Sequence, residues 1–188
     1  MKKWFSLTVA LLLSAVMLAG IPVEAKSYAN IGISEDVCLS AAENPERVDK
    51  KTVDDLFESA DQGYTKAQYA LGVIYLYGNE YVGRDVGKAV KMLTKAADNG
   101  ERRAQTLLGE LYLDGEEVHK DYYKAGVYLE KAAAKGHAHS QFLTGMLYAK
   151  GMGRKADEET AKFWLDCAVR GGDRDAEEFL RSHPKLGE

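Results

Sequence analysis

The chain has 188 residues, 46% of them hydrophobic, and 25 Lys and Arg against 29 Asp and Glu give it a formal charge of −4. A mildly acidic chain with well-mixed charges lacks the basic face that nucleic acid or an anionic membrane surface demands. Three prolines among many Ala, Leu, Tyr, Lys and Glu favour an all-helical protein.

The first residues have the layout of a secretory signal peptide. Lys2 and Lys3 precede an apolar run from Trp4 to about Ala19, and Val23-Glu24-Ala25 offers a small-x-Ala cleavage site. The run is shorter than the ~20 residues that a membrane-spanning helix needs. Cleavage after Ala25 and export of a soluble protein, most simply into a bacterial periplasm, are therefore expected. No Cys follows the run, which argues against a lipid anchor there. About 163 residues remain, enough for one domain.

Residues 26–63 read as an arm and a capping half-repeat. Residues 26–33 are expected to be loose. Ser34 is placed to cap a short helix over Glu35–Glu43, which Asn44-Pro45 would break. Leu56, Phe57 and the ESADQG stretch ending at Gly63 then read as a second helix.

Next comes a repeat. ALGVIYLYG at 70–78 returns as LLGELYLDG at 107–115 and as LTGMLYAKG at 143–151. Ala67, Ala104 and Ser140 are equivalent, as are Leu71, Leu108 and Thr144, and Tyr75, Tyr112 and Tyr148. Asp85, Asp121 and Asp157 also match, followed by Lys88, Lys124 and Thr160. The units close with KAADNG, KAAAKG and CAVRGG at Gly100, Gly136 and Gly172. A period of about 36 residues signals a stacked repeat architecture. Units span 64–100, 101–136 and 137–172, with a capping helix and tail at 173–188.

Each unit reads as two helices. Ala67, Ala70, Leu71, Ile74 and Tyr75 share one face of helix A, and Gly78 ends it. Asp85 caps helix B, whose apolar face holds Ala89, Leu93, Ala96 and Ala97. A glycine inside helix A costs about 1 kcal/mol against alanine. Its return at Gly72, Gly109 and Gly145 implies a close backbone approach, expected to face the small alanines of helix B. Ala176, Phe179 and Leu180 match helix A again, but Arg181 fills the glycine slot, as suits a last helix with no helix B after it.

The A-x-x-x-L-G-x-x-Y-x-x-G, D-x-x-K-A and K-A-A-x-x-G elements resemble the Sel-one-like repeat family, a branch of the tetratricopeptide superfamily. The resemblance implies an all-α fold, a right-handed α/α superhelix (solenoid) of about three helix pairs with half-repeat caps. It also implies a protein-interaction scaffold rather than an enzyme. The partner would be an envelope protein, a periplasmic sensor domain or a toxin, and the role immunity, regulation or assembly. In the superfamily the concave face comes from fixed helix A positions. Carried over, these are Tyr69, Val73, Leu76 and Tyr77, then Thr106, Glu110, Leu113 and Asp114, then Phe142, Met146, Ala149 and Lys150. Tyr69 and Phe142 also read as helix-packing residues. The chain is expected to be monomeric, with no cofactor, metal or nucleic acid.

Other chemistry is thin. Cys38 and Cys167 sit at opposite ends of the repeat array, several helices apart, beyond disulfide reach. They are expected to be free. Disulfide-rich relatives place two cysteines within each unit, and this chain has no such pair. His137 and His139 would need further metal ligands, and none is near in sequence; they read as solvated or edge histidines. Asp157-Glu158-Glu159 is the acidic first turn that a helix dipole favours. Ser182-His183-Pro184-Lys185 matches S-x-x-K, but it follows the last helix and contains a proline. The competing class is an enzyme acting on β-lactams or cell-wall peptides, as suggested for the disulfide-rich relatives.

Overall fold

The computed structural model describes residues 32–187. The expected export signal at 1–25 and the first part of the arm, up to residue 31, lie outside them. Ten helices follow: α1 (Glu35–Glu43), α2 (Lys50–Asp61), α3 (Thr65–Tyr77), α4 (Val86–Asp98), α5 (Arg102–Asp114), α6 (Tyr122–Ala133), α7 (Ala138–Lys150), α8 (Glu158–Arg170), α9 (Arg174–Ser182) and α10 (Pro184–Gly187). No strand occurs among the described residues. Helices α3, α5 and α7 are the A helices, and α4, α6 and α8 the B helices. Each A helix packs on its own B helix, and each B helix on the next A helix, so the units stack as an α/α solenoid.

The glycine of helix A is a notch. A methyl group on Gly72 would stand 2.7 Å from Leu93 Cγ and 3.2 Å from the Leu93 nitrogen. On Gly109 it would stand 2.5 Å from Leu129 Cγ, and on Gly145 2.7 Å from Leu165 Cγ. All three leucines are fully buried. The expected partner, the helix B alanines, is therefore corrected. The missing Cβ admits a leucine side chain, and the alanines fill the space around it.

Each unit is closed by a reciprocal turn. The Asp85, Asp121 and Asp157 carboxylates accept from the Lys88, Lys124 and Thr160 N–H groups at 2.9, 3.0 and 3.1 Å. Those bonds hold the three carboxyls below the usual carboxylate range. Their own N–H groups donate to the carbonyls of Tyr75, Tyr112 and Tyr148 at 2.7, 2.9 and 3.1 Å. The repeated Tyr thus marks the residue whose carbonyl positions the cap of helix B. Its ring reaches sideways: Tyr75 meets Phe57 edge-on, Tyr112 stacks on Tyr128, and the Tyr148 hydroxyl donates to Glu130.

Units are joined by a bond that the sequence reading did not anticipate. Buried Gln68, Gln105 and Gln141 donate through Nε2 to the carbonyls of Ala60, Ala97 and Ala133 at 3.2, 2.8 and 3.1 Å. Each staple adds a second donor to a last-turn carbonyl of the preceding helix that also accepts from the connecting glycine's N–H. The connecting glycines take positive φ, +92° at Gly100, and the next residue's N–H closes the turn.

The ends follow the same logic. Ser34 caps α1, accepting from the Val37 N–H at 3.3 Å, and α1 lies against α3. Ile33 is buried, so the part of the arm next to the cap is packed rather than loose. At the other end α9 covers α8, and Arg181 is exposed with no helix B opposite. The tail turns back through α10, and Leu186 is buried beside Leu165 and Ala168.

Both cysteines are free. Cys38 is buried in α1, where desolvation pushes its thiol up to about 12, and Cys167 is half-buried in α8. Two buried atoms of the third unit have no hydrogen-bond partner among the described residues: Arg154 Nε and the hydroxyl of Thr144, which stands fully buried where Leu71 and Leu108 stand.

Three outcomes are expected. Gly109→Leu overpacks the central notch at a cost of about 1–3 kcal/mol and lowers the melting temperature by several degrees, read by circular dichroism. Parent-like melting would remove the notch account. Thr144→Val keeps the shape, deletes the unpaired hydroxyl and stabilises by about 1 kcal/mol in urea titration; a loss of stability would show that the hydroxyl is paired in solution. Thiol titration of the unreduced, denatured monomer should count two free thiols per chain, and none in a monomer would mean that Cys38 and Cys167 are bonded to each other.

Candidate partner-binding groove

The A helices present equivalent side chains side by side, and the structure sorts the expected groove residues into three groups. Tyr77, Asp114 and Lys150, at one equivalent position, are exposed. Tyr69, Glu110, Leu113, Phe142, Met146 and Ala149 are half-buried. Val73, Leu76 and Thr106 are buried at 4%, 3% and 9% exposure, and of the three only Thr106 reaches a pocket wall. The reasons are local. Helix α1 lies against α3, which carries Val73. Leu76 packs into the cluster of Leu93, Leu108 and Leu111. The Thr106 hydroxyl is used inside, at 3.1 Å from the Arg102 carbonyl and 3.0 Å from Ser140 Oγ.

Tyr69 and Phe142 serve two ends. Tyr69 packs on the cluster around Leu108 and also lines a pocket. Phe142 meets Phe179 edge-on at 6.1 Å between centroids and stands 6.0 Å from the His139 ring. Both positions join one unit to the next while leaving part of the ring at the surface.

The pocket lies between α3, α5 and α7. It has a volume of about 410 Å³ and is lined by Tyr69, Arg102, Arg103, Thr106, Leu107, Glu110 and His137. Arg102 and Arg103 are exposed in the first turn of α5. The buried cap before them, Glu101, takes Lys66 at 2.7 Å. His137 caps α7: its Nδ1 accepts from the Ser140 N–H at 3.3 Å and lies 2.9 Å from Ser140 Oγ. Burial, and then the Arg102 charge, hold its pKa below the ordinary histidine value. Burial also raises the carboxyl of Glu110.

Sequence reasoning missed Arg102, Arg103 and Leu107, which lie off the superfamily's groove positions. His137 and His139, read as solvated or edge histidines, are half-buried and also make contacts between units. His139 stands between Glu110, with Nε2 3.7 Å from Oε1, and Asp173, with Nδ1 3.3 Å from Oδ2. Asp175 brings a third group with potential ligand atoms within 4.8 Å of those of His139 and Asp173. Asp173 is already engaged as the cap of α9, accepting from the Ala176 N–H at 2.9 Å. A second hollow of about 350 Å³ lies at the C-terminal end, lined by Ala149, Lys150, Glu158, Phe179, His183, Pro184, Lys185 and Leu186. The S-x-x-K residues sit on its rim as a helix stop: the Ser182 hydroxyl donates to the Phe179 carbonyl at 2.8 Å, and both Ser182 and Lys185 are exposed.

Among the described residues, no helix is long and apolar enough to cross a membrane.

Comparison with known proteins agrees with this architecture. The model of the Sel1 repeat matches three times, at residues 65–101, 102–137 and 138–173. The crystal structure of a Sel1 repeat protein from Oxalobacter formigenes is similar at 33% identity and a TM-score of 0.64, covering 70% of this chain and 98% of that one. A protective antigen present in uropathogenic Escherichia coli strains, displaying an SLR fold, is 35% identical with a TM-score of 0.60, covering 66% of this chain but only 26% of its own. Cysteine rich protein B of Helicobacter pylori shares the fold at 21% identity and a TM-score of 0.51, covering 79% of this chain and 98% of its own. No curated protein matches the chain. Sel1 repeat proteins generally mediate protein–protein interaction. With three repeats over more than half its length and a relative one-third identical along most of the fold, the chain belongs to the Sel1 repeat family.

Proposed function

We propose that the exported chain is a periplasmic scaffold that binds one protein partner along its helix A face and restrains or adapts it. The partner is an envelope protein, a sensor domain or a toxin that the scaffold neutralises. The observation that carries this reading is the pocket between α3, α5 and α7, where Tyr69 and Leu107 supply an apolar wall beside the charges of Arg102, Arg103 and Glu110. An apolar patch rimmed by charge is what a protein interface uses. The exposed Tyr77, Asp114 and Lys150 extend the same face across three units. Export rests on the basic, apolar and small-residue order of residues 1–25, with cleavage after Ala25.

The face works by presentation alone, with rigid backbones and no covalent chemistry. Stacked units hold their side chains at fixed spacing, so the ordering cost of binding falls mainly on the partner.

The test uses exposed positions, so that folding and binding separate. Tyr77→Ala with Asp114→Lys should melt like the parent and lose at least tenfold in capture of its partner from an envelope extract, since interface anchors are worth about 2 kcal/mol or more. Tyr112→Ala should instead lower the melting temperature first. If the exposed pair captures as well as the parent, contact lies on the B helices or the caps. Nitrocefin turnover by the pure protein would favour the β-lactam reading instead.

A further inference from the structure

We propose that the pocket between α3, α5 and α7 is built to take a carboxylate, carried on an acidic segment of the protein partner. This rests on the reading of the helix A face as the binding face.

The pocket's polar groups are overwhelmingly donors. Arg102 is exposed and has no carboxylate at ion-pair distance among the described residues. Arg103 has only Glu43, with Nη1 and Oε1 3.6 Å apart and both side chains well exposed, a pairing that water already weakens and an incoming carboxylate can replace. The Tyr69 hydroxyl has no hydrogen-bond partner among the described residues. His137 is committed as an acceptor through Nδ1, because a backbone N–H, which can only donate, points at that atom. The ring proton therefore resides on Nε2, and the neutral ring offers a donor. Burial and Arg102 reinforce the neutral form.

Two arginines in successive positions offer planar forks that match a carboxylate in pairs of parallel bonds. Tyr69 and Leu107 form the wall against which the methylenes of a Glu or Asp side chain would lie. Glu110 sets the charge limit. Its carboxylate stands in the same wall, with Oε1 3.7 Å from His139 Nε2, so a singly charged carboxylate meets less repulsion there than a doubly charged phosphate. With a volume of about 410 Å³ the pocket holds one such side chain and its flanking backbone.

The experiment titrates isotope-labelled protein with a blocked tetraglutamate peptide and follows backbone amide resonances. Blocked tetralysine and inorganic phosphate serve as comparisons. Saturable shifts at Tyr69, Arg102, Arg103, Leu107 and His137 are expected with tetraglutamate, a weaker response with phosphate, and none there with tetralysine. Arg102→Ala with Arg103→Ala should weaken tetraglutamate at least fivefold while melting like the parent, and the paired Arg→Lys variant should keep part of the affinity. Absence of saturation, an equal response to tetralysine, tighter binding of phosphate, or unchanged affinity in the double Ala variant would each overturn the proposal. The two levels of the reading fail separately. If tetraglutamate saturates the pocket yet groove variants capture a partner normally, the binding face is wrong. If groove variants lose the partner but tetraglutamate neither binds nor competes, the carboxylate is wrong.

Discussion

The seat of a leucine in a glycine notch is the contact from which the rest of the solenoid follows. Leu93, Leu129 and Leu165 are fully buried, and each stands where a Cβ on the facing helix would be. The glycine gives up helix propensity, and the leucine gains burial worth about 1.5–3 kcal/mol. Because the close approach fixes the spacing of A and B helices, it also sets where the connecting loop must end. The aspartate that caps helix B is then near enough for its N–H to reach the tyrosine carbonyl. Notch and cap constrain the same pair of helices from different ends.

Between units the logic changes from packing to hydrogen bonding. The glutamine of each A helix reaches back to the helix before it, so a unit is completed only when its neighbour is present. That dependence makes the ends special. The N-terminal cap supplies α2 with Ala60 to receive Gln68, and the C-terminal cap covers α8 without offering a further partner. Arg181 can occupy the glycine position because no leucine arrives there.

Most of the fold was legible because repetition turns a weak local signal into a strong one. A lone glycine in a helix says little, whereas three at fixed spacing define a geometry. Its partner was misread because the alanines of helix B looked like natural company for a glycine, while the leucine between them was assigned only to the hydrophobic face. Gln68, Gln105 and Gln141 recur as faithfully as the glycines and were passed over because polar residues are usually exposed; their fixed offset from Ala67, Ala104 and Ser140 was the available signal. The groove was less legible. Superfamily positions indicate which residues leave the helix on the inner side, but they say nothing of what covers them. Helix α1 lies on α3, Leu76 joins the core, and Thr106 is spent on Ser140. Arg102 and Arg103 enter the pocket from the first turn of α5, a place where helix dipoles favour acids rather than bases.

That last contrast separates two kinds of variation along the chain. Where the notch, the cap and the staple operate, residues repeat almost without change, since each is fixed by a contact within its unit or with the helix before it. At the inner positions the same slot holds Val73, Glu110 and Met146, or Tyr77, Asp114 and Lys150. Neighbouring slots on one helix thus answer to different constraints: one to the leucine opposite, the other to whatever meets the face. A repeat protein can therefore change what it binds one unit at a time without disturbing the frame, provided the changed side chain does not also carry a joint between units. Tyr69 and Phe142 do carry such joints, through the Leu108 cluster and the Phe179 ring. They are poor places to alter binding, and Tyr77, Asp114, Arg102 and Arg103, exposed and free of the core, are the positions at which specificity can vary.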